Sequence, residues 1–195
     1  MSHDLSATSL KDAIAALTTN MAKHAPPEVI ASFSLPDTHE NMVTLSSLLA
    51  KGPYTRVFDT NVKGVFFAMK AQVEAMRRMG GGSIINLSST GGSRGMAGMS
   101  VYVASKHAVE GLSKAAALDL ASDNIRVNVV APGPTLTAML DRVTDGHPER
   151  LAQRVPLGRA GSPEELARAI AWIASDEASF VNGVVLPVNG GISAA

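Results

Sequence analysis

Tyr102 and Lys106 stand four residues apart in the stretch Tyr102-Val-Ala-Ser-Lys106, and a serine pair, Ser88 and Ser89, precedes them across a glycine-rich loop. On a helix, residues four apart lie one above the other on the same face. A free phenol titrates near ~10 and is protonated at neutral pH. A fixed ammonium one turn away favours the phenolate and makes the group a better acid or base toward a substrate oxygen. Ser89 lies thirteen residues before Tyr102, so a loop can fold its hydroxyl back beside the phenol, where it can hydrogen-bond a carbonyl or alcohol oxygen. A buried tyrosine with a snorkelling lysine has the same spacing, so the flanking sequence has to decide.

The elements that would hold these groups are legible. The apolar run Ser83 to Leu87 reads as a buried strand ending in the serine pair, and Val101 to Ala121 reads as the helix that carries Tyr102 and Lys106. Between them, the loop Gly91 to Gly98 with Met96 and Met99 is placed to line a substrate pocket. Arg94 in that loop reads as a solvated side chain rather than a partner for an acidic substrate group. Upstream, Val57, Val65, Met69, Val73 and Met76 form an apolar stripe on a helix from about Tyr54 to Arg78. Asn61 sits inside that helix, and an amide in an apolar helix needs a hydrogen-bond partner. Downstream, Asn124 to Val130 predicts a strand with the exit Ala131-Pro-Gly-Pro-Thr-Leu-Thr137. A proline and a glycine directly after a buried parallel strand let the backbone turn over a ligand at the carboxyl edge of the sheet.

The rest of the chain completes an alternation of strands and helices. Leu10, Ala13, Ile14, Leu17 and Met21 predict an amphipathic helix that Pro26 and Pro27 stop. Val29 to Leu35 reads as a buried strand, His39 as a solvated loop residue, and the forties as a short helix. Residues 138 to 160, interrupted by Gly146, Pro148 and Pro156, suit a mobile lid, with Met139 adding to an apolar pocket. Ser162-Pro-Glu-Glu165 reads as an N-cap, a first-turn proline and a capping-box glutamate ahead of a helix from Glu164 to Ala174. Val184 to Val188 is the last strand. This order predicts an α/β fold with a parallel sheet and helices on both faces.

Composition narrows the function classes. The 195 residues carry 17 basic and 17 acidic side chains, so net charge points to neither nucleic acid nor an anionic membrane. No apolar run has the length of a membrane span. There is no cysteine, which excludes disulfides and thiolate metal sites and fits a cytoplasmic protein; no metal site is expected.

Several ordered motifs resemble the short-chain dehydrogenase/reductase family: TNVKGVFF at Thr60 to Phe67, GGSIINLSS at Gly81 to Ser89, the Tyr102 to Lys106 pair, NVVAPGPTLT at Asn128 to Thr137, and LPVNGG at Leu186 to Gly191. The resemblance runs from about Leu45 to Gly191. It implies a Rossmann-like three-layer αβα fold and an oxidoreductase that moves a hydride between NAD or NADP and a small-molecule alcohol or ketone. It further implies that Tyr102 is the acid/base, that Lys106 lowers its pKa and holds the nicotinamide ribose, and that Ser89 orients the substrate oxygen. Asn61 would complete a tetrad by holding a water that links Lys106 to solvent, at a bend in its helix. Pro132 and Gly133 would approach the nicotinamide ring, the Thr135 backbone its carboxamide, and Thr137 the carboxamide or a phosphate. Family members commonly form homodimers or homotetramers.

The sequence departs from the family at its start. The strand, TGxxxGxG turn and helix that cradle the pyrophosphate have no counterpart in it. Aligned backwards from Ser89, Val29 to Leu35 falls on the fourth family strand. The expectation is therefore one domain over residues 1–195, the C-terminal catalytic part of the fold, with a truncated parallel sheet that keeps family strands 4 to 7 and lacks strands 1 and 2. Loss of about three charge-assisted hydrogen bonds to phosphate and ribose, at ~1.5 to 3 kcal/mol each, would weaken cofactor binding by about 5 to 9 kcal/mol. The alternative is an inactive truncated homologue, or an incomplete gene product, that only oligomerises. Cofactor-independent chemistry of the related halohydrin dehalogenases is disfavoured, because those proteins carry arginine where this chain has Lys106.

Overall fold

The structure, a computed structural model, describes residues 53–194. The expected N-terminal helix, the strand Val29 to Leu35, the helix of the forties and His39 lie outside the described residues. Within them the order is α1 (Pro53–Phe58), a π-turn (Asp59–Lys63), α2 (Gly64–Met79), β1 (Gly82–Leu87), α3 (Ser100–Asp119), β2 (Ile125–Pro132), α4 (Ala138–Val143), α5 (Glu149–Ala152), α6 (Pro163–Ala174) and β3 (Val185–Val188). The strands form one parallel sheet in the order β1-β2-β3, with Leu87 opposite Val130 and Pro132 opposite Val188.

Alternation along the strands sends side chains to two different helix layers. Ile84, Ile125 and Val127 pack with Val65, Met69 and Met76 of α2 and with Val109 and Ala117 of α3. Ile85, Leu87 and Val130 point the other way, onto Ile170, Ile173 and Ala174 of α6. Both faces are covered, which is why the strands read as near-continuous apolar runs. The result is a Rossmann-like αβα arrangement, and among the described residues no helix is long and apolar enough to cross a membrane.

Two local features depart from the expected outline. The single helix from Tyr54 to Arg78 is interrupted by the π-turn Asp59–Lys63, whose wider ring turns Asn61 fully inward. The interrupted stretch from 138 to 160 holds two short helices, α4 and α5, with Leu140, Thr144 and Val155 buried. Gly146, at φ 76°, and Pro148 separate these short helices without preventing them.

Arg126, the second residue of β2, is half-buried and projects beneath α6. Its Nη1 donates to Ile173 O at 3.0 Å and Val181 O at 3.1 Å, and its Nη2 to Ala174 O at 3.2 Å and Ser175 O at 3.0 Å. The guanidinium therefore caps carbonyls that the helix end leaves without partners. Burial lowers its pKa, and Asp176 acts in the opposite sense.

At its other end, α6 begins with the expected capping box. Ser162 Oγ accepts from Glu165 N–H at 3.3 Å, and Ser162 N–H donates to Glu165 Oε2 at 2.8 Å. Arg159 grasps both oxygens of the same carboxylate, at 2.8 and 2.7 Å. Arg159 first, then the Ser162 N–H, holds the Glu165 pKa down at about 2, from an ordinary 4.5. A depressed carboxylate stabilises the fold above its unfolded pKa and loses that contribution as pH falls through its folded value. The stability difference between the natural chain and Glu165→Gln should therefore shrink between pH 4.5 and about 2, as read by thermal melts across that range. Ser162→Ala should cost about 1 kcal/mol at neutral pH, read from urea midpoints.

Candidate active site

Because the strands are parallel, β1, β2 and β3 all end at one edge of the sheet. Ser88 N–H still donates to Val130 O at 2.8 Å and Gly133 N–H to Val188 O at 3.1 Å, so the three exits leave side by side. Helix α3 begins over this edge, with Tyr102 in its first turn and Lys106 one turn later.

Lys106 is 2% exposed, a burial that an ammonium tolerates only with polar partners. Its Nζ donates to Leu87 O at 3.3 Å, at the last position of β1. The same nitrogen lies 5.7 Å from the centroid of the half-buried Tyr102 ring. A Cβ at Gly91 would stand 3.3 Å from Tyr102 Cε1 and 3.1 Å from Met96 Sδ, so Gly91 lies against the phenol ring with Met96 close on it as well. Ser89 Oγ accepts the Gly91 N–H at 3.1 Å and caps the short turn Thr90–Gly92. The hydroxyl thus sits on the backbone unit that lies against the ring, and its own proton meets no acceptor among the described residues.

Asn61 reaches the same helix from the π-turn. Its Nδ2 donates to Ser105 Oγ at 3.1 Å, and Ser105 Oγ donates to Tyr102 O at 2.7 Å. Asn61 Oδ1 is buried and meets no donor among the described residues. A buried acceptor in that state suits an ordered water.

The exit of β2 is tightly folded. A Cβ at Gly133 would lie 2.8 Å from Asn189 Cα, so the exits of β2 and β3 approach closely enough to require glycine. Thr135 Oγ1 donates to Gly133 O at 3.0 Å; Thr137 Oγ1 donates to Thr135 O at 3.2 Å and accepts the Leu140 N–H at 3.3 Å, capping α4. Gly161 N–H donates to Pro134 O and Leu136 N–H to Gly161 O, both at 2.9 Å. The Thr135 N–H is then directed to the opposite side and meets no acceptor among the described residues. A cavity of 240 Å³ flanks this turn between Pro134, Val155, Leu157, Leu166 and Gly190, and neither Tyr102 nor Lys106 lines it.

The structure thus brings Asn61, Ser89, Tyr102 and Lys106 to one end of α3, with Pro132, Gly133 and Thr135 leaving the same sheet edge. The Thr137 hydroxyl is engaged as a helix cap. Two further residues, Arg94 and Glu110, went misread or unnoticed in the sequence, and Ser88 drew notice only as half of a serine pair. Arg94 is only partly exposed; its Nη1 donates to Ile192 O at 2.6 Å and ties the Gly91 to Gly98 loop to the segment after β3. Ser88 and Glu110, each 5% exposed, are joined by a 2.7 Å hydrogen bond from Ser88 Oγ to Glu110 Oε1. The signal for Glu110 was its place two helical turns after Tyr102 on the same face. No group of residues suited to hold a metal occurs among the described residues.

The family profile described as enoyl-(acyl carrier protein) reductase matches residues 38–193. The 3-oxoacyl-[acyl-carrier-protein] reductase FabG of Staphylococcus aureus is 39% identical over 170 residues, covering 85% of this chain and 69% of that protein. Among solved structures, Thermoplasma acidophilum aldohexose dehydrogenase superposes with a TM-score of 0.78 at 31% identity, over 96% of this chain and 76% of that one. ElxO with NADP bound gives a TM-score of 0.75 at 27% identity, over 99% and 78%. A match over this much of the chain, in both sequence and fold, leaves one conclusion: the protein belongs to the short-chain dehydrogenase/reductase family of oxidoreductases.

Proposed function

We propose that the chain interconverts a small-molecule ketone and secondary alcohol using NAD or NADP, with Tyr102 as acid/base. The observation that carries this reading is the buried Lys106 ammonium, held 5.7 Å from the Tyr102 ring centroid beside the Ser89 turn. A cation so placed favours the phenolate through its charge. The NADP found in ElxO and the carbonyl and alcohol substrates in the relatives' names agree with this chemistry.

The residues at the sheet edge fit the nicotinamide half of such a cofactor. Lys106 and Tyr102 would hold the ribose hydroxyls, Pro132 and Gly133 would flank the ring, and the Thr135 N–H, with no acceptor among the described residues, would meet the carboxamide. Thr137 reaches a carboxamide or phosphate only by releasing the Leu140 N–H. When bound, the nicotinamide supplies or accepts the hydride.

In the reducing direction, the Ser89 hydroxyl holds the carbonyl oxygen and the Tyr102 hydroxyl gives it a proton. The ammonium of Lys106 steadies the phenolate that remains. Asn61 Oδ1, buried and without a donor among the described residues, would hold a water from which the proton is replaced. In oxidation the same groups take the proton from the alcohol.

The test is to titrate NADH and NADPH by fluorescence and calorimetry, and to follow their oxidation with a panel of small ketones. Saturable binding of one dinucleotide with turnover of at least one ketone is expected. No saturation up to millimolar dinucleotide, and no turnover, overturns the proposal in favour of a non-catalytic homologue.

A further inference from the structure

We propose that Glu110 is a positioning residue that sets the turn carrying Ser89, so that the working face of α3 extends one turn beyond Lys106; its catalytic consequence rests on the function proposed above. Tyr102, Lys106 and Glu110 follow one another at intervals of four residues and therefore share one face of the helix. Each meets the exit of β1. Tyr102 bears on Gly91, Lys106 Nζ donates to Leu87 O, and Glu110 accepts from Ser88 Oγ.

The Ser88 hydroxyl has one proton and two acceptors to choose from. Glu110 Oε1 at 2.7 Å takes it in preference to Lys106 O at 3.5 Å, because the carboxylate is both nearer and the stronger acceptor. The carboxylate also limits the far end of the turn. A Cβ at Gly92 would fall into Glu110 Oε1 and Ser88 Oγ, and within 2.7 Å of Glu110 Cδ, so a side chain there would have to displace this pair. Glu110 is thus in contact with the first and last residues of Ser88 to Gly92. Between those two points stand Ser89, which would hold the substrate oxygen, and Gly91, which abuts the phenol.

A carboxylate is an expensive choice for a core position that an aliphatic side chain could fill. What it adds is direction. An acceptor fixed on a rigid helix dictates where the Ser88 hydroxyl points, and a short turn anchored at both ends transmits that placement to Ser89.

The experiment measures amide exchange over Ser88 to Gly92 in the full chain without cofactor, for Glu110→Gln, Glu110→Ala, Ser88→Ala and Gly92→Ala, and follows kcat and KM on any ketone the natural chain reduces. Loss of one such hydrogen bond is worth about tenfold. Glu110→Ala and Ser88→Ala should therefore raise exchange at Gly91 and Gly92 about tenfold while β2 and β3 stay protected. In turnover they should lower kcat more than they raise KM. Glu110→Gln, whose amide oxygen still accepts from Ser88, should keep exchange within about twofold of the natural chain. Gly92→Ala should raise exchange in the natural background and should add little once Glu110 is alanine. Unchanged exchange in a folded Ser88→Ala or Glu110→Ala protein overturns the proposal, as does a loss of protection spread evenly over the sheet. If Glu110→Ala does not fold, Ser88→Ala and Glu110→Gln decide the matter. A natural chain without turnover refutes the oxidoreductase reading, whereas the exchange results still confirm or refute the control that Glu110 exerts on the turn.

Discussion

Tyr102→Phe should lower kcat/KM by about 10²- to 10⁴-fold, the range for removal of a positioned general acid or base. The substitution keeps the ring that lies against Gly91 and deletes only the hydroxyl to which the proton transfer is assigned. Affinity for the dinucleotide should fall far less than turnover, since Lys106 and the β2 exit remain. Steady-state rates and a binding titration on the same preparation check both halves of this expectation. A Tyr102→Phe enzyme with more than a tenth of the natural activity would assign the proton transfer to another group.

The largest loss of stability is expected at the far end of β2, the middle one of the three described strands. Arg126→Met removes a guanidinium that donates to four carbonyl oxygens at once, three of them belonging to residues 173–175 at the end of α6. Hydrogen bonds to a charged group contribute about 1.5 to 3 kcal/mol each in favourable cases, and water replaces part of that at a half-buried position. A total near 3 kcal/mol follows, to be read from urea unfolding. Arg126→Lys should recover less than half of it, because an ammonium cannot span the fork of acceptors that a planar guanidinium reaches. A cost below about 1 kcal/mol would mean that solvent already serves those carbonyls.

How much of this the sequence disclosed depended on whether a signal was periodic or tertiary. The strand ending at Leu87, the helix bearing Tyr102 and Lys106, and the capping box at Ser162 each follow a local rule, and each formed within a residue or two of its expected bounds. Asn61 was flagged because a polar amide interrupts an apolar stripe, and the structure gives it a partner on α3. Arg126 broke the apolar run of β2 in the same way, yet its partners lie near residues 173–181, a distance in sequence that no periodicity reports. Arg94 looked like a solvated loop residue because its acceptor, the Ile192 carbonyl, is 98 residues away. Glu110 was overlooked for a different reason: a glutamate in a helix ordinarily marks the wet face, and its place on the Tyr102 face, the one hint to the contrary, gains weight only from the serine and glycine it meets.

The π-turn at Asp59–Lys63 carries a consequence for how this helix tolerates change in length. Each residue of a regular helix advances about 100° around its axis, and the widened turn absorbs one surplus residue without disturbing α2. Deleting a single residue there would turn the segment into ordinary helix. It would also swing the Asn61 amide roughly 100° off the line to Ser105, leaving a gap opposite α3 and an amide stranded against hydrocarbon. The widened turn is therefore what keeps the polar group aimed, and length polymorphism in these five residues should be confined to proteins that have dispensed with the amide.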